Sequence, residues 1–268
     1  MGEEAALSIE SPLREAKFLG LKLHPITMLE LCQRIIQTVV ERERLTITYI
    51  NPNYVVAASR SPKLAAAINQ FDLVLPDGIG VVVGARFLGV PVPERLGTDG
   101  VCLSLFGECA RRRLPLKVFL LGARPGIAET AAENLQSGFP TITVVGTRHG
   151  WFDSRENEQV CDAVNSSQPD MLLVCTGTPR QQYWVSAHAA SLRCPVIMTG
   201  GGYLDNLSVS VAFYPQWINH ARLNWLYRLC REPKNVWRRY TIEAAIFSYL
   251  LLTARTRRRE SLGCSQGA

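Results

Sequence analysis

The sequence predicts an α/β protein: a mostly parallel sheet with helices on both faces, followed by a basic helical C-terminal appendage. Three observations carry this. Short apolar segments, such as Leu116 to Leu121, Met171 to Cys175 and Pro195 to Met198, alternate with longer helical ones. Strands apolar on both faces belong to a parallel sheet buried between two helix layers. The charge is also uneven: Arg222 to Arg259 hold ten Lys/Arg against two Asp/Glu, a balance of +8, which leaves the rest at −2 of the formal +6. We therefore expect a core over residues 1–212 and an appendage over 213–268.

Residues 1 to about 16 read as a loose tail, and Phe18 to Leu23 alternates as a strand would,. Thr27-x-x-Glu30 is a capping box ahead of the apolar positions Leu31, Ile35, Ile36 and Val39,. Leu45 to Ile50 is a strand ending at Asn51-Pro52-Asn53. Ser61 to Gln70 is helical, Asp72 to Leu75 is a short buried strand stopping at Pro76-Asp77-Gly78, and Gly97 to Arg113 is helical. The strand Leu116 to Leu121 runs into Gly122-Ala123-Arg124-Pro125-Gly126 and a helix to Gln136. Ile142 to Val145 is a strand, Glu156 to Asn165 a helix, and Met171 to Cys175 a strand. A helix from Arg180 to Leu192 and a strand from Pro195 to Met198 lead to Gly200-Gly201-Gly202. Ligands of such sheets bind beyond the carboxyl ends of the strands, so the turns there are the places to examine.

The 268 residues, 47% hydrophobic, suit one α/β domain with an appendage,. Eight cysteines form no C-x-x-C and no zinc-finger spacing with histidine, which fits free thiols in a reducing cytosol,. Met1 to Glu10 is acidic and lacks a basic start and long apolar core, unlike a signal peptide,. No run of about 18 apolar residues suggests a transmembrane helix. From Pro215 to Tyr240, Trp217, Trp225 and Trp237 interleave with Arg222, Arg228, Arg231, Lys234, Arg238 and Arg239. The apolar stretch Ile242 to Ala254 follows, then Arg255, Arg257, Arg258 and Arg259. Such a segment suits the headgroup plane of an anionic membrane. A packing helix with a solvated basic face is the alternative. Nucleic-acid binding fits the charge but leaves the strand-end loops unexplained, and we expect no nucleic-acid partner.

Asp77, between Pro and Gly at a strand end, can accept a proton from a hydroxyl; a turn aspartate bonded to its own backbone is the alternative. Asp72 reads as a strand-entry residue. Gly78-x-Gly80-x-x-x-Gly84 lacks the spacing of a dinucleotide fingerprint,. The loops at Gly122 to Gly126 and Gly200 to Gly202 suit phosphate at a helix N-terminus, or serve as tight turns. In Gly177-x-Pro179-Arg180-Gln181-Gln182, Arg180 and Gln181 suit a diphosphate or ribose, or begin a solvent-facing helix. His149 stands alone and reads as structural; His24, His188 and His220 are isolated. No Asp-x-Asp pair occurs, which argues against a divalent cation bridging a diphosphate,. No cofactor is expected.

In order and spacing, these pieces resemble the WecG/TagA/CpsF family of glycosyltransferases, from about Leu19 to Tyr240. The matching segments are Asn51-Pro52, Ile68-Asn69-x-x-Asp72, Pro76-Asp77-Gly78-x-Gly80, Glu94-Arg95-x-Gly97-x-Asp99, Leu121-Gly122, Pro125-Gly126, His149-Gly150-x-Phe152, Pro169-Asp170, Gly177-x-Pro179-Arg180-Gln181, Trp225 to Leu229 and Glu232-Pro233. The resemblance implies a Rossmann-like core, a membrane appendage that helps complete the site, and an inverting, metal-independent enzyme. The donor would be a UDP-sugar carrying a ManNAc-, ManNAcA- or glucuronic-acid-like group. The acceptor would be a glycan on a polyprenyl diphosphate, at the cytoplasmic face of the membrane.

Carried over by motif, Asp77 takes the catalytic-base position, Arg95 a position near acceptor or diphosphate, and Gln181 a polar active-site position. The resemblance also implies substrate contacts at Tyr49, Asn51, Gly78, Asp99, Gly122, Arg180, Gly201 and Asp205, with Arg228, Arg231 and Arg238 facing phosphates. The chain departs from the family at Tyr49, where a threonine is frequent, at Gln182, where the family carries glutamate, and in the glycine run. A non-catalytic membrane-bound nucleotide-sugar binding protein is the alternative function. The oligomeric state is left open, a homo-oligomer included.

Overall fold

A computed structural model describes residues 14–211, 218, 224–231, 237–238 and 241–264. The described chain enters through an antiparallel hairpin of Ala16–Phe18 (β1) and Leu21–Leu23 (β2). The single strand expected over Phe18 to Leu23 is therefore broken. Leu19 and Gly20 both have positive φ, at 51° and 85°, and two such residues form a tight hairpin turn,. The central sheet consists of Leu45–Ile50 (β3), Leu73–Pro76 (β4), Leu116–Gly122 (β5), Ile142–Arg148 (β6), Met171–Cys175 (β7) and Val196–Thr199 (β8). All are parallel, in the spatial order β4-β3-β8-β7-β5-β6.

Alternation along each strand divides the core in two. Ile47, Leu73, Leu75, Val118, Leu120, Leu173 and Met198 face one side, against Met28–Glu41 (α1), Thr98–Arg112 (α5), Ile127–Gly138 (α6) and Tyr203–Leu207 (α9). Ile50, Val74, Phe119, Leu121, Leu172, Val174 and Ile197 face the other. There they meet the hairpin, Pro52–Arg60 (α2), Pro62–Asn69 (α3), Ile79–Phe87 (α4), Asn157–Ser167 (α7) and Arg180–His188 (α8). Near the C-terminus come Asn224–Arg231 (α10) and Ile242–Cys264 (α11). Phe247 of α11 is buried in this second core, 6.2 Å from the Phe18 ring.

The capping box at Thr27 forms as expected: Glu30 N–H donates to Thr27 Oγ1, and Thr27 N–H donates to Glu30 at 2.8 Å. Two helices occupy stretches that read as turns. Asn51 caps α2 by accepting from Tyr54 N–H at 3.1 Å, with Pro52 at the first helical position,. Gly80 and Gly84 lie one turn apart on α4. A Cβ at Gly80 would stand 2.8 Å from Pro52 Cγ, and one at Gly84 would stand 3.0 Å from both Leu251 methyls. This glycine spacing lets helices approach closely. β6 also runs three residues past Val145, and Gly146 within it leaves room for the Phe119 ring, 2.5 Å from where a Cβ would sit.

Several residues of the family motifs hold the fold together. Asp72 accepts from Thr46 N–H and its hydroxyl at 2.8 and 2.7 Å, as a strand-entry residue should. Asn69 accepts from Lys22 N–H and donates to the Gly20 carbonyl, clamping the hairpin. Glu94 accepts from Met28 N–H at the start of α1. Asp170 accepts from Lys117 N–H and from Arg42 at 2.8 Å.

His24 fastens the hairpin to β4: its N–H donates to the Val74 carbonyl, and its Nδ1 accepts from Val74 N–H at 3.0 Å. Burial pushes the imidazole below its ordinary 6.5,. As pH falls below 6.5, the unfolded chain takes up a proton that the folded chain refuses until lower pH. Stability present above pH 6.5 is therefore lost on acidification, by at most about 1.4 kcal/mol per pH unit. We expect the urea midpoint to fall between about pH 7 and pH 5.5. His24→Asn, which keeps an acceptor and cannot titrate, should show a shallower fall; equal slopes would exclude His24 as the source.

Candidate active site

The carboxyl ends of all six parallel strands open into one cleft of about 620 Å³, within the range of small-molecule sites,. Tyr49 and Asn51 come from the end of β3, and Asp77 from the residue after β4. Ala123 and Arg124 follow β5, and Gly150 and Trp151 follow β6. Thr176 to Thr178 follow β7, with Arg180 and Gln181 on the first turn of α8. Gly200, Gly201 and Gly202 follow β8, with Asp205 on α9. Thr98 and Asp99 open α5.

Asp77 and Arg95 form the charged pair of this cleft, with Asp77 Oδ1 4.0 Å from Arg95 Nε and both side chains partly exposed. The backbone sets their approach. Asp77 N–H donates to the Ile50 carbonyl and Leu96 N–H to the Pro76 carbonyl, each at 2.8 Å, which joins the two segments. Gly97 caps α5 beside them. A Cβ there would lie 2.7 Å from both Arg95 Nη2 and Asp77 Oδ1, so glycine leaves space for the pair. Asp99 accepts from Asn206 Nδ2 at 3.1 Å, which fixes its orientation across the cleft.

The other acidic groups at the floor are held neutral. Burial pushes the Cys175 thiol up to about 12, and carries Cys102, Tyr49 and Tyr203 well above their ordinary values,. Tyr49 also donates to Met198 Sδ at 2.8 Å. The carboxylates of the lining are Asp77, Asp99 and Asp205.

Gln181, 2% exposed, accepts from Gly201 N–H at 3.0 Å and ties α8 to the glycine turn after β8. Gln182 faces away from the cleft. It is wholly buried and its Nε2 approaches Thr48 Oγ1 at 3.4 Å, while Thr48 shares a 2.8 Å hydrogen bond with Thr199. A carboxylate here would carry a large desolvation cost, and even the neutral amide leaves its Oε1 buried without a hydrogen-bond partner among the described residues,. Arg180 donates to the Phe152 carbonyl and lies over the Phe152 ring at 4.6 Å, which holds its charge at the cleft wall.

The structure brings Tyr49, Asn51, Asp77, Asp99, Arg180, Gln181, Gly201 and Asp205 to the cleft lining. Arg95 reaches the site through Asp77. Gly78 caps α4 behind it. Gly122 lies beneath: its φ is +148°, and a Cβ would fall 2.4 Å from the Cys175 carbonyl group, so β5 and β7 touch backbone to backbone. Arg228 and Arg231 lie on α10, and Arg238 is exposed and is not among the lining residues. Arg222, Lys234 and Arg239 lie outside the described residues. Tyr54, Thr98, Trp151, Thr176 and Thr178 line the cleft without having been singled out. The available signal was position, since each stands just beyond a strand end or in a first helical turn. Trp151 is 68% exposed, unusual for so large an apolar side chain,.

Fold and cleft define a doubly wound α/β protein whose ligand site sits at the strand ends,. The chain belongs to the glycosyl transferase WecG/TagA/CpsF family, whose description matches residues 16–261. It is similar to the N-acetylglucosaminyldiphosphoundecaprenol N-acetyl-beta-D-mannosaminyltransferase of Staphylococcus aureus, 29% identical over 255 residues, or 93% of this chain and 97% of the relative. It is also similar to the enzyme of the same name from Bacillus spizizenii, 29% identical over 193 residues, or 72% of this chain and 73% of the relative.

Gly97→Ala tests the pair. The backbone at Gly97, with φ −90°, accepts alanine, and the atoms in its way are side-chain ends that can move. We expect an unchanged melting temperature with sugar transfer reduced about tenfold or more by misplacement of Asp77 and Arg95. Full activity in this variant would show that their spacing is not needed.

Proposed function

We propose that this protein transfers a sugar of the N-acetylmannosamine type, or a related uronic acid, from a UDP-sugar to a glycan on a polyprenyl diphosphate. The observation that carries this reading is the Asp77–Arg95 pair in the strand-end cleft. The names of both relatives, mannosaminyltransferases of a diphosphoundecaprenol-linked sugar, support the sugar transferred and the class of acceptor.

The transfer is inverting. The acceptor hydroxyl attacks the anomeric carbon from the face opposite UDP, Asp77 takes its proton, and the bond from carbon to the diphosphate breaks. Arg95 stands beside Asp77 and holds the carboxylate in place. Arg124 and Arg180 supply positive charge for the departing diphosphate,. Gln181 positions the Gly200 to Gly202 turn.

The enzyme works at the cytoplasmic face of the membrane as a peripheral protein. Among the described residues, no helix is long and apolar enough to cross a bilayer. α11 exposes Ile242, Tyr249 and Leu252, a row at helical spacing, with Arg255 and Arg257 beyond,. Such a row suits burial among lipid headgroups.

Asp77→Asn keeps the shape of the side chain and removes its basicity. We expect unchanged folding and UDP binding, with turnover lower by about 10²-fold or more. Turnover within a few-fold of the parent would move the base to Asp99 or Asp205. The lack of an Asp-x-Asp pair, together with the cleft arginines, leads us to expect full transfer in EDTA. Loss in EDTA that Mg²⁺ or Mn²⁺ restores would overturn metal independence.

A further inference from the structure

The cleft accounts for the reacting end of a lipid-linked acceptor and for none of its hydrocarbon. A second concavity, of about 470 Å³, lies where the β1 hairpin, the segment after α4 and the helix α11 meet. Leu19, Leu88, Val90, Pro91 and Ala254 line it, and Lys17 is the charged residue of its lining.

One helix connects the two sites. Gly78, the N-cap of α4, follows Asp77, and Leu88, its C-cap, lines the groove. Ten residues at the helical rise separate them by about 15 Å. Between them Val83 and Phe87, four residues apart and so on one helix face, are 58% and 39% exposed,. Arg255, next to Ala254, lies over the Phe87 ring at 4.0 Å and donates to its carbonyl. An exposed apolar pair on α4 thus lies between the cleft carboxylate and an apolar groove with Arg255 and Lys17 beside it.

Resting on the acceptor class proposed above, we infer that this groove seats the polyprenyl chain of the acceptor, with Val83 and Phe87 along its path from the cleft. A concavity of this kind takes one chain, whereas a bilayer surface rests on an exposed face such as the row Ile242, Tyr249 and Leu252. The two cations suit the anionic headgroups where the chain passes into the membrane.

Ala254→Trp fills the groove from α11, and Ala254→Ser leaves it open. Each is assayed in detergent with the same glycan diphosphate on a polyprenyl chain and on a short alkyl chain. For the tryptophan variant we expect KM for the polyprenyl acceptor to rise about tenfold or more, from lost apolar burial. Its kcat and its KM for the short acceptor should stay unchanged, and the serine variant should match the parent. Equal effects on both acceptors, or none, would overturn the inference. So would weaker sedimentation with anionic vesicles at an unaltered chain preference, which would give the groove to the bilayer. A polyprenyl diphosphate with a diazirine in its first isoprene units supplies a readout independent of turnover. It should label peptides containing residues 16–19, 88–91 or 254; labelling only elsewhere would also overturn the inference. Labelling in the groove by a protein that transfers to neither acceptor would uphold the chain site and sink the transferase reading.

Discussion

A parallel sheet covered on both faces leaves little room for polar side chains along its strands, and the few here, such as Thr46, Thr48 and Thr199, are hydrogen-bonded within the interior; the rest of this molecule follows from that,. β7 is buried at all five positions, and β3, β4 and β8 are buried throughout. Hydrogen-bonding and ionisable groups must therefore emerge at strand ends. Because the strands are parallel, their carboxyl ends share one edge, and the helices that follow begin there. α2, α4, α5, α8 and α9 all start beside the cleft or its lining residues. Their first turns bring the partial positive charge of the helix dipole to the same place.

Close backbone approach completes the cleft. Gly122 lets β5 touch β7, Gly150 N–H donates to the Ala123 carbonyl at 2.8 Å, and Ala123 N–H donates to the Cys175 carbonyl at 3.2 Å. The turns after β5, β6 and β7 thus form one backbone-bonded rim. Asp77 and Arg95 stand opposite on a second unit, joined through Pro76 and Ile50. Burial raises the thiol and phenols between these units well above their ordinary values, and the carboxylates Asp77, Asp99 and Asp205 line the cleft beside them.

The residues shared with the family divide between two tasks. Asn69, Asp72, Glu94 and Asp170 satisfy backbone and side-chain donors between elements and leave the cleft to others. Asp77, Asp99 and Gln181 face the cleft. α11 also belongs to the body of the fold, since Phe247 and Leu251 fill space that Gly80 and Gly84 leave on α4. Changes in α11 therefore bear on the element that begins at the candidate catalytic residue.

The sequence by itself determined the strand–helix alternation, the capped start of α1, the place of Asp72 at a strand entry and of Asp77 at a strand exit, and the family. These depend on local periodicity, capping and turn chemistry, which act over a few residues. Tertiary structure decided the rest. The Phe18 to Leu23 segment pairs with itself because Leu19 and Gly20 turn it back. Gly80 and Gly84 serve helix packing, and Gly122 serves strand packing, because of neighbours far along the chain. Trp151 and Thr176 share a cleft with Asp77 only through the strand order β4-β3-β8-β7-β5-β6. That order reflects which apolar faces pack best across the whole sheet, a long-range free-energy difference that no local pattern encodes.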